Sequence, residues 1–424
     1  MAETPRVHPV LLLLTGNMLG AAVGGAFFLT ASWRLSLEDM GRYAAVISLQ
    51  WVAFGLIGHG LGIATLRVAR NRIAESDHKG ALGIVAYAVL TAMSLSVITA
   101  ALVYWFIEIT FTSRIAPEIA AIAILWAGAR AMLECTRSGL LAEQRFARSA
   151  ALSVSSGVAG LTALLLTLFT GEFTVVRLLG AHLLGMLGGA AAGFILLLPL
   201  ARHGLHLHSA FELFSYARWP TLSESTRTLQ VNLGAPILVA LAGATEAGLF
   251  GMARYPAFLF DVAAVTLYQY WLTRAVHVPG RAELLGYVRR HMRFAGALGV
   301  AVVAGAIVAQ PFLPLLGPNF ANVGVLFVMC SIDFALVLLV RPIETAYHGM
   351  ARPHLELIQR FAALPTLIVA AYFLVARWGA IGMVGAHITA SVVSLAVGTA
   401  LVYRALGAER RAVGVPDSGS LPPS

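Results

Sequence analysis

The stretch Ala81–Ile107, ALGIVAYAVLTAMSLSVITAALVYWFI, runs for 27 residues without a charged side chain between Lys79 and Glu108. A helix needs about 20 apolar residues to cross a hydrocarbon core of roughly 30 Å, so this segment is long enough to span a membrane. It is not alone. Working outward, comparable runs lie near 10–32, 43–66, 118–141, 149–170, 174–200, 220–243, 248–272, 291–316, 321–349, 356–376 and 380–403. The expected fold is all-α, a polytopic membrane protein of about twelve transmembrane helices.

Composition agrees. Of 424 residues 59% are apolar and only 12% charged, with a mean hydropathy of +0.82, too little charge to cover a soluble surface. The period-2 alternation of a membrane barrel is absent. The run Val10–Trp33 follows a head carrying Glu3, Arg6 and His8 but is too long for a secretion signal, so it reads as an uncleaved first helix. Cys135 and Cys330 both fall in apolar runs and build neither a disulfide framework nor a metal site. The net charge of +9 forms no contiguous basic block with interleaved aromatics, which argues against nucleic acid as a partner.

Basic residues instead sort by loop. With a cytoplasmic N-terminus, the loops after odd-numbered spans hold Arg34, Arg42, Arg114, Arg177 and Arg377. Arg130, Arg137, Arg227, Arg254, Arg293 and Arg341 lie within spans, and the other eighteen fall on the cytoplasmic side. This bias predicts a multi-pass inner-membrane protein with both termini cytoplasmic. Trp33, Trp105, Trp219, Trp271 and Trp378 sit near span ends, where an amphipathic ring is at home. The tail 406–424 is rich in Gly, Ser and Pro and reads as disordered.

A weak repeat is visible at an offset of 207 residues. Gly41-Arg42-Tyr43-Ala44 matches Gly248-Leu249-Phe250-Gly251, and Ala142-Glu143-Gln144-Arg145 matches Gly349-Met350-Ala351-Arg352. The shared offset predicts two pseudo-symmetric six-helix bundles, 1–207 and 208–405. With an even number of spans in each, they would be related by an axis along the membrane normal.

The turn Ser36-Leu37-Glu38-Asp39-Met40-Gly41-Arg42-Tyr43, then Gly60-Leu61-Gly62, Leu141-Ala142-Glu143-Gln144-Arg145-Phe146 and the stretch from Gly243 to Ala253 carry a resemblance. The chain resembles a Wzx-type polysaccharide transporter of the multidrug/oligosaccharidyl-lipid/polysaccharide transporter superfamily, which also contains multidrug and toxin extrusion transporters. The likeness covers roughly residues 10–405 through a diffuse pattern of Gly, small and basic positions. It implies a flippase exporting a polyprenyl-diphosphate-linked oligosaccharide by alternating access, with membrane lipids and a polysaccharide polymerase as further partners. Multidrug members often carry a cation-site acid in the first or seventh helix. Here the first span offers only Asn17, and the seventh has Asn232 at its middle with Glu224 towards the cytoplasm, so the resemblance does not bring that coupling with it.

Charges inside a bilayer cost about 2.5–3.5 kcal/mol each at mid-helix on insertion scales, and each needs a reason. Glu134 with Arg137, Glu224 with Arg227, and Arg341 with Glu344 are three acid–base pairs at i,i+3, one helical face apiece. Under the repeat Glu134 corresponds to Arg341 and Arg137 to Glu344, so swapped charges could pair across the bundle axis. In the functional reading Arg137, Arg227 and Arg341 bind the diphosphate bidentately while the acids hold them in place. In the bland reading each pair neutralises itself within its own helix and Arg snorkels.

A deeper set comprises Arg130, Asp261, Asp333 and Arg254. Asp333 and Asp261 are the candidates for proton or cation coupling, the alternative being static salt bridges. Among the span histidines His59, His182, His348 and His387, His348 stands out, one turn from Glu344. No catalytic residues, cofactor or metal motif are expected, and the short loops leave no room for an enzyme domain. The competing function is a cation-coupled multidrug or metabolite extruder of the same superfamily, whose pocket would be acidic and aromatic.

Overall fold

The computed structural model describes residues 9–110, 117–170, 173–201, 207–275, 281–350, 352 and 354–412. Among these residues the chain is almost wholly helical, without strands. Eight helical segments are long and apolar enough to cross a membrane by length and composition. The last of these, within α13 (His354–Ala412), is two helices. Gly379, at φ +51°, breaks it, a conformation that L side chains rarely adopt. The Glu246 carboxylate accepts a bond from the Ala380 N–H at 2.7 Å and fixes the corner.

The other long helices are α1 (Pro9–Arg34), α4 (His78–Thr110), α5 (Pro117–Ala142), α6 (Phe146–Phe169), α7 (Val175–Ala201), α10 (Ala244–Ala275), α11 (Arg281–Ala309) and α12 (Gly324–Gly349), of which α4, α5, α6, α7, α11 and α12 are among the eight. Two crossings are interrupted. The second consists of α2 (Leu37–Phe54), a π-helical segment Gly55–His59, and α3 (Gly60–Ala74). Its start is set by Ser36, whose hydroxyl accepts from the Asp39 N–H, with Glu38 and Asp39 in the first turn. The seventh consists of α8 (Leu207–Asn232) and α9 (Gly234–Leu241). Pro236 has no N–H to offer the Asn232 carbonyl, and the helix breaks at Leu233. This crossing begins thirteen residues before the expected 220, because the opening turns, Leu207-His208-Ser209-Ala210-Phe211-Glu212, are too polar to register as a span.

Taking α2–α3 and α8–α9 as one pass each and α13 as two, the described helices pass twelve times along the bundle, so α1 begins and α13 ends at the same face, called here the near end. At the opposite, far end α2 and α10 cross so closely that a side-chain carbon on Gly41 would lie 1.7 Å from the Ala244 carbonyl oxygen. One on Gly248 would lie 2.2 Å from the Leu37 carbonyl oxygen. These two contacts exchange under the 207-residue offset, Gly41 with Gly248 and Leu37 with Ala244. The second repeat segment agrees. The N–H of Arg145 donates to the Leu140 carbonyl and that of Arg352 to the Tyr347 carbonyl, each at 2.8 Å.

Further far-end ties join the same regions. Phe28 stacks on Tyr255 at 3.9 Å and edges onto Phe320 at 6.2 Å. The Asn319 amide donates to the carbonyls of Ser32 and Leu35 at 2.9 and 3.1 Å. Nearer the other end α8 packs on the first half. A carbon on Gly60 would lie 2.3 Å from the Thr221 backbone, and Arg72 bonds Glu212 at 2.6 Å. Of the tail expected to be disordered, residues 406–412 instead continue the last helix to Ala412, and 413–424 lie outside the described residues.

Candidate functional site

Midway along the bundle the π segment brings the second, fourth and seventh crossings together. Glycines make this possible: a carbon on Gly55 would meet Thr228 at 2.6 Å, and one on Gly58 would meet Ala131 at 2.1 Å. An extra residue in a helical turn re-aims side chains, and His59 at the end of the segment stands with its Nδ1 3.3 Å from Glu224. Glu224 also accepts from Arg227 Nε at 2.8 Å. On α5, Arg137 bonds Glu134 at 3.3 Å.

The third pair belongs to a larger cluster on α12 and α13. Arg341 donates to Glu344 at 2.9 Å. Glu344 also takes Arg360 at 3.4 Å, and Arg360 bonds Glu356. Glu356 in turn meets His348 Nε2 at 3.2 Å, while Tyr268 of α10 reaches His348 at 3.4 Å and lies beneath the Arg341 guanidinium. Arg360 is within electrostatic reach of Glu224, which links this cluster to the group around the π segment.

All three expected pairs thus close within their own helices. An i,i+3 partner is already at hand, and reaching a second helix would cost the ordering of two long side chains. His348 pairs with Glu356 rather than with Glu344. The pairs differ in surroundings: the side chains of Arg341 and Glu344 are each 7% exposed, whereas Glu134 is 33% exposed.

Among the deeper residues, Asp333 is buried and bound on both oxygens, to Arg254 at 3.3 Å and to the Ser391 hydroxyl at 2.7 Å. Arg254 also donates to the Val231 carbonyl at 3.2 Å, at the point where α8 gives way to α9. This ion pair therefore spans α10 and α12 and caps the broken crossing. His387 packs on Phe250 beside Gly234, and its Nε2 has no hydrogen-bond partner among the described residues. His182 shares a hydrogen bond with the Tyr43 hydroxyl at 2.7 Å and stacks on Phe27 and Trp126, a packing role. Arg130 sits over the rings of Trp51 and Phe54, at 3.7 and 4.9 Å from their centroids. The side chains of Asp261 and Asn17 lie outside the described residues.

Sequence reasoning missed Glu356 and Arg360. Arg360 lies near a span start and was counted with the loop, yet it is 3% exposed. The signal was there: Glu356 and Arg360 form an i,i+4 pair of the same kind as those it singled out. His59 was passed over as a lone histidine because nothing in the sequence marks the π segment that carries it to Glu224.

No protein-family model and no curated protein matches this sequence. Solved structures do. The chain is similar to an inward-facing multidrug resistance MATE family transporter of the MOP superfamily, with a TM-score of 0.73 at 16% identity, covering 94% of this chain and 99% of that one. Against an outward-facing MATE family transporter the TM-score is 0.63 at 15% identity, with 95% and 96% covered. A MOP superfamily transporter from Pyrococcus furiosus, described by a binding pocket of reverse polarity that suggests a different function, gives 0.63 at 16% identity over 94% and 96%. These likenesses establish a MATE-like transporter fold over the length of the chain.

Proposed function

We propose that this protein is an alternating-access exporter of amphipathic solutes, of the cation-coupled extruder kind, working through two six-helix halves, 1–207 and 208–405. The observation that carries the reading is the full-length likeness to MATE family transporters, closer to the inward-facing state than to the outward-facing one. The far end is closed by the α2–α10 crossing, the Phe28–Tyr255–Phe320 stack and the Asn319 bonds. On the eighteen-to-five distribution of basic residues we place the near end and both termini in the cytoplasm of an inner-membrane protein.

In this scheme the near-end charged cluster lines the loading side. Export requires the far-end ties to part as near-end contacts form. Asp333 is the coupling residue: taking up a proton or cation would weaken its hold on Arg254 and release the Val231 carbonyl at the α8–α9 break. The same change would free two crossings to move.

A flippase for a polyprenyl-diphosphate-linked oligosaccharide is the second reading. What favours it is the charge balance among the described intramembrane residues discussed above, seven arginines (130, 137, 227, 254, 293, 341 and 360) against five acids (134, 224, 333, 344 and 356). A pocket for cationic drugs would be weighted the other way.

The test is reconstitution into liposomes with an imposed proton or sodium gradient. Gradient-dependent movement of a fluorescent amphiphile is expected. Folded, inserted protein that moves neither cationic nor anionic amphiphiles under either gradient would overturn the proposal.

A further inference from the structure

We propose that Arg130 is the seat for an oxyanion carried by the transported solute, with Trp51 and Phe54 as its backing. The proposal rests on the transporter reading above and names the chemistry it handles.

Five other arginines gathered at the helix crossings are satisfied. Arg137, Arg227, Arg254, Arg341 and Arg360 each stand within 4 Å of a carboxylate. Arg130 is different. It lies at the middle of α5, thirteen residues from the helix start and twelve from its end, and among the described residues no carboxylate stands within 4 Å of it. Glu134, one turn away, is committed to Arg137. A cation at this depth is expensive, and aromatic faces compensate it only in part.

Aromatic rings stand against Arg130, and among the described residues no carboxylate is bonded to its N–H groups. A guanidinium stacked on an indole has its flat face occupied, while its N–H groups point outward in the plane. That fork matches the two oxygens of a phosphate or carboxylate. Cζ lies 3.7 Å from the Trp51 centroid, a close stack, and 4.9 Å from that of Phe54. The mount is rigid, since the neighbouring Ala131 is pressed against Gly58 of the π segment, where no side chain would fit.

The residue also stands among helices of both halves. Arg130 belongs to α5, its backing to α2, and Glu134, Arg137, the Tyr255 hydroxyl of α10 and His59 are within its electrostatic reach. It is partly exposed rather than sealed. The clamp that the sequence assigned to Arg137, Arg227 and Arg341 falls instead to an arginine with no carboxylate of its own.

Calorimetric titration of the purified protein in phosphatidylcholine nanodiscs tests this, with farnesyl diphosphate, dodecanoate, farnesol, dodecyltrimethylammonium and inorganic pyrophosphate as probes. Farnesyl diphosphate is expected to bind, farnesol and the ammonium compound at least about tenfold more weakly. Arg130→Gln should weaken farnesyl diphosphate by about tenfold or more, and Arg130→Lys by about threefold, since an ammonium stacks but offers no fork. Arg42→Gln, at an exposed far-end residue, should stay within about twofold of the parent. Dodecanoate binding that also depends on Arg130 would widen the ligand class to carboxylates. Pyrophosphate binding as tightly as farnesyl diphosphate would assign the seat to a soluble anion, and weaker binding to an amphiphile. Both retain the oxyanion seat.

Should Arg130→Gln fail to fold, Trp51→Leu removes the backing while leaving the arginine, and farnesyl diphosphate should still weaken by about threefold or more. The proposal is overturned by undetectable farnesyl diphosphate binding to the parent, by unchanged affinity in Arg130→Gln, or by farnesol or the ammonium compound binding equally well. Binding without any gradient-driven export would sink the exporter reading and leave the seat standing. Export without Arg130-dependent binding would do the reverse.

Discussion

Ala44 and Gly251, 207 positions apart, touch each other across the α2–α10 crossing, where a side-chain carbon on Gly251 would stand 2.7 Å from the Ala44 Cβ. Two residues that are each other's repeat mates and also neighbours sit where an axis exchanging the two repeat segments would pass. Flanking them, Gly41 meets Ala244 and Gly248 meets Leu37 in reciprocal fashion. The far-end closure is therefore one contact made twice.

Gly41→Ala should open that closure. The added methyl would sit 1.7 Å from the Ala244 carbonyl oxygen, which is backbone and cannot swing aside. Overpacking of this kind costs about 1–3 kcal/mol, and parting the halves at the far end relieves it. A thiol placed by Ser32→Cys, at a residue now 0% exposed, should react several-fold faster with a membrane-impermeant reagent in the Gly41→Ala background. Equal rates in the two backgrounds would remove the crossing as a gate.

Arg→Lys at positions 137, 227 and 341 should have little effect on export at matched expression. Each residue is held by an acid in its own helix, and an intrahelical ion pair asks mainly for a positive charge. A severe loss from any of the three would return the diphosphate clamp to that arginine.

Burial should grade the acids. Glu344→Gln takes a carboxylate away from two buried guanidinium groups, Arg341 and Arg360, the second of which keeps Glu356, and breaking a buried pair costs about 3–5 kcal/mol. Glu134→Gln, at a side chain 33% exposed, should cost less than about 1 kcal/mol. Thermal unfolding in detergent should show a clear drop for the first and almost none for the second.

Asp333→Asn should abolish dependence on the imposed gradient while the protein still inserts, because the neutral side chain can no longer be discharged. Removing the partner as well, in Arg254→Met with Asp333→Leu, should restore stability relative to either single change, since no lone charge stays buried. Gradient-dependent export persisting in Asp333→Asn would exclude it as the coupling residue.

Much of the architecture could be read from the chain because apolar length and glycine positions are local properties. The repeat offset rests on two short matches, of which the first recurs as reciprocal close contacts and the second as equal backbone hydrogen bonds. The start of the seventh crossing was lost because its first turns are polar, and the π segment because no sequence pattern marks an extra residue in a turn. For the site, the acid–base pairs were legible from i,i+3 spacing, but their partners were not. Arg360 counts with the loop by its place near a span start, and whether a carboxylate bonds Arg130 depends on where Glu134 points, which is to Arg137.

The α2–α10 crossing lies close to one end of long helices, which makes each crossing a lever. From Ala44 to His59 is fifteen residues, an arm of about 22 Å, so each degree of tilt at the pivot carries the far tip of that arm about 0.4 Å sideways. A few degrees would suffice to pull His59 from Glu224 beyond bonding distance. A methyl-sized change in clearance at one end can thus be read as a rearranged ion pair at mid-bundle, with no element along the way having to bend.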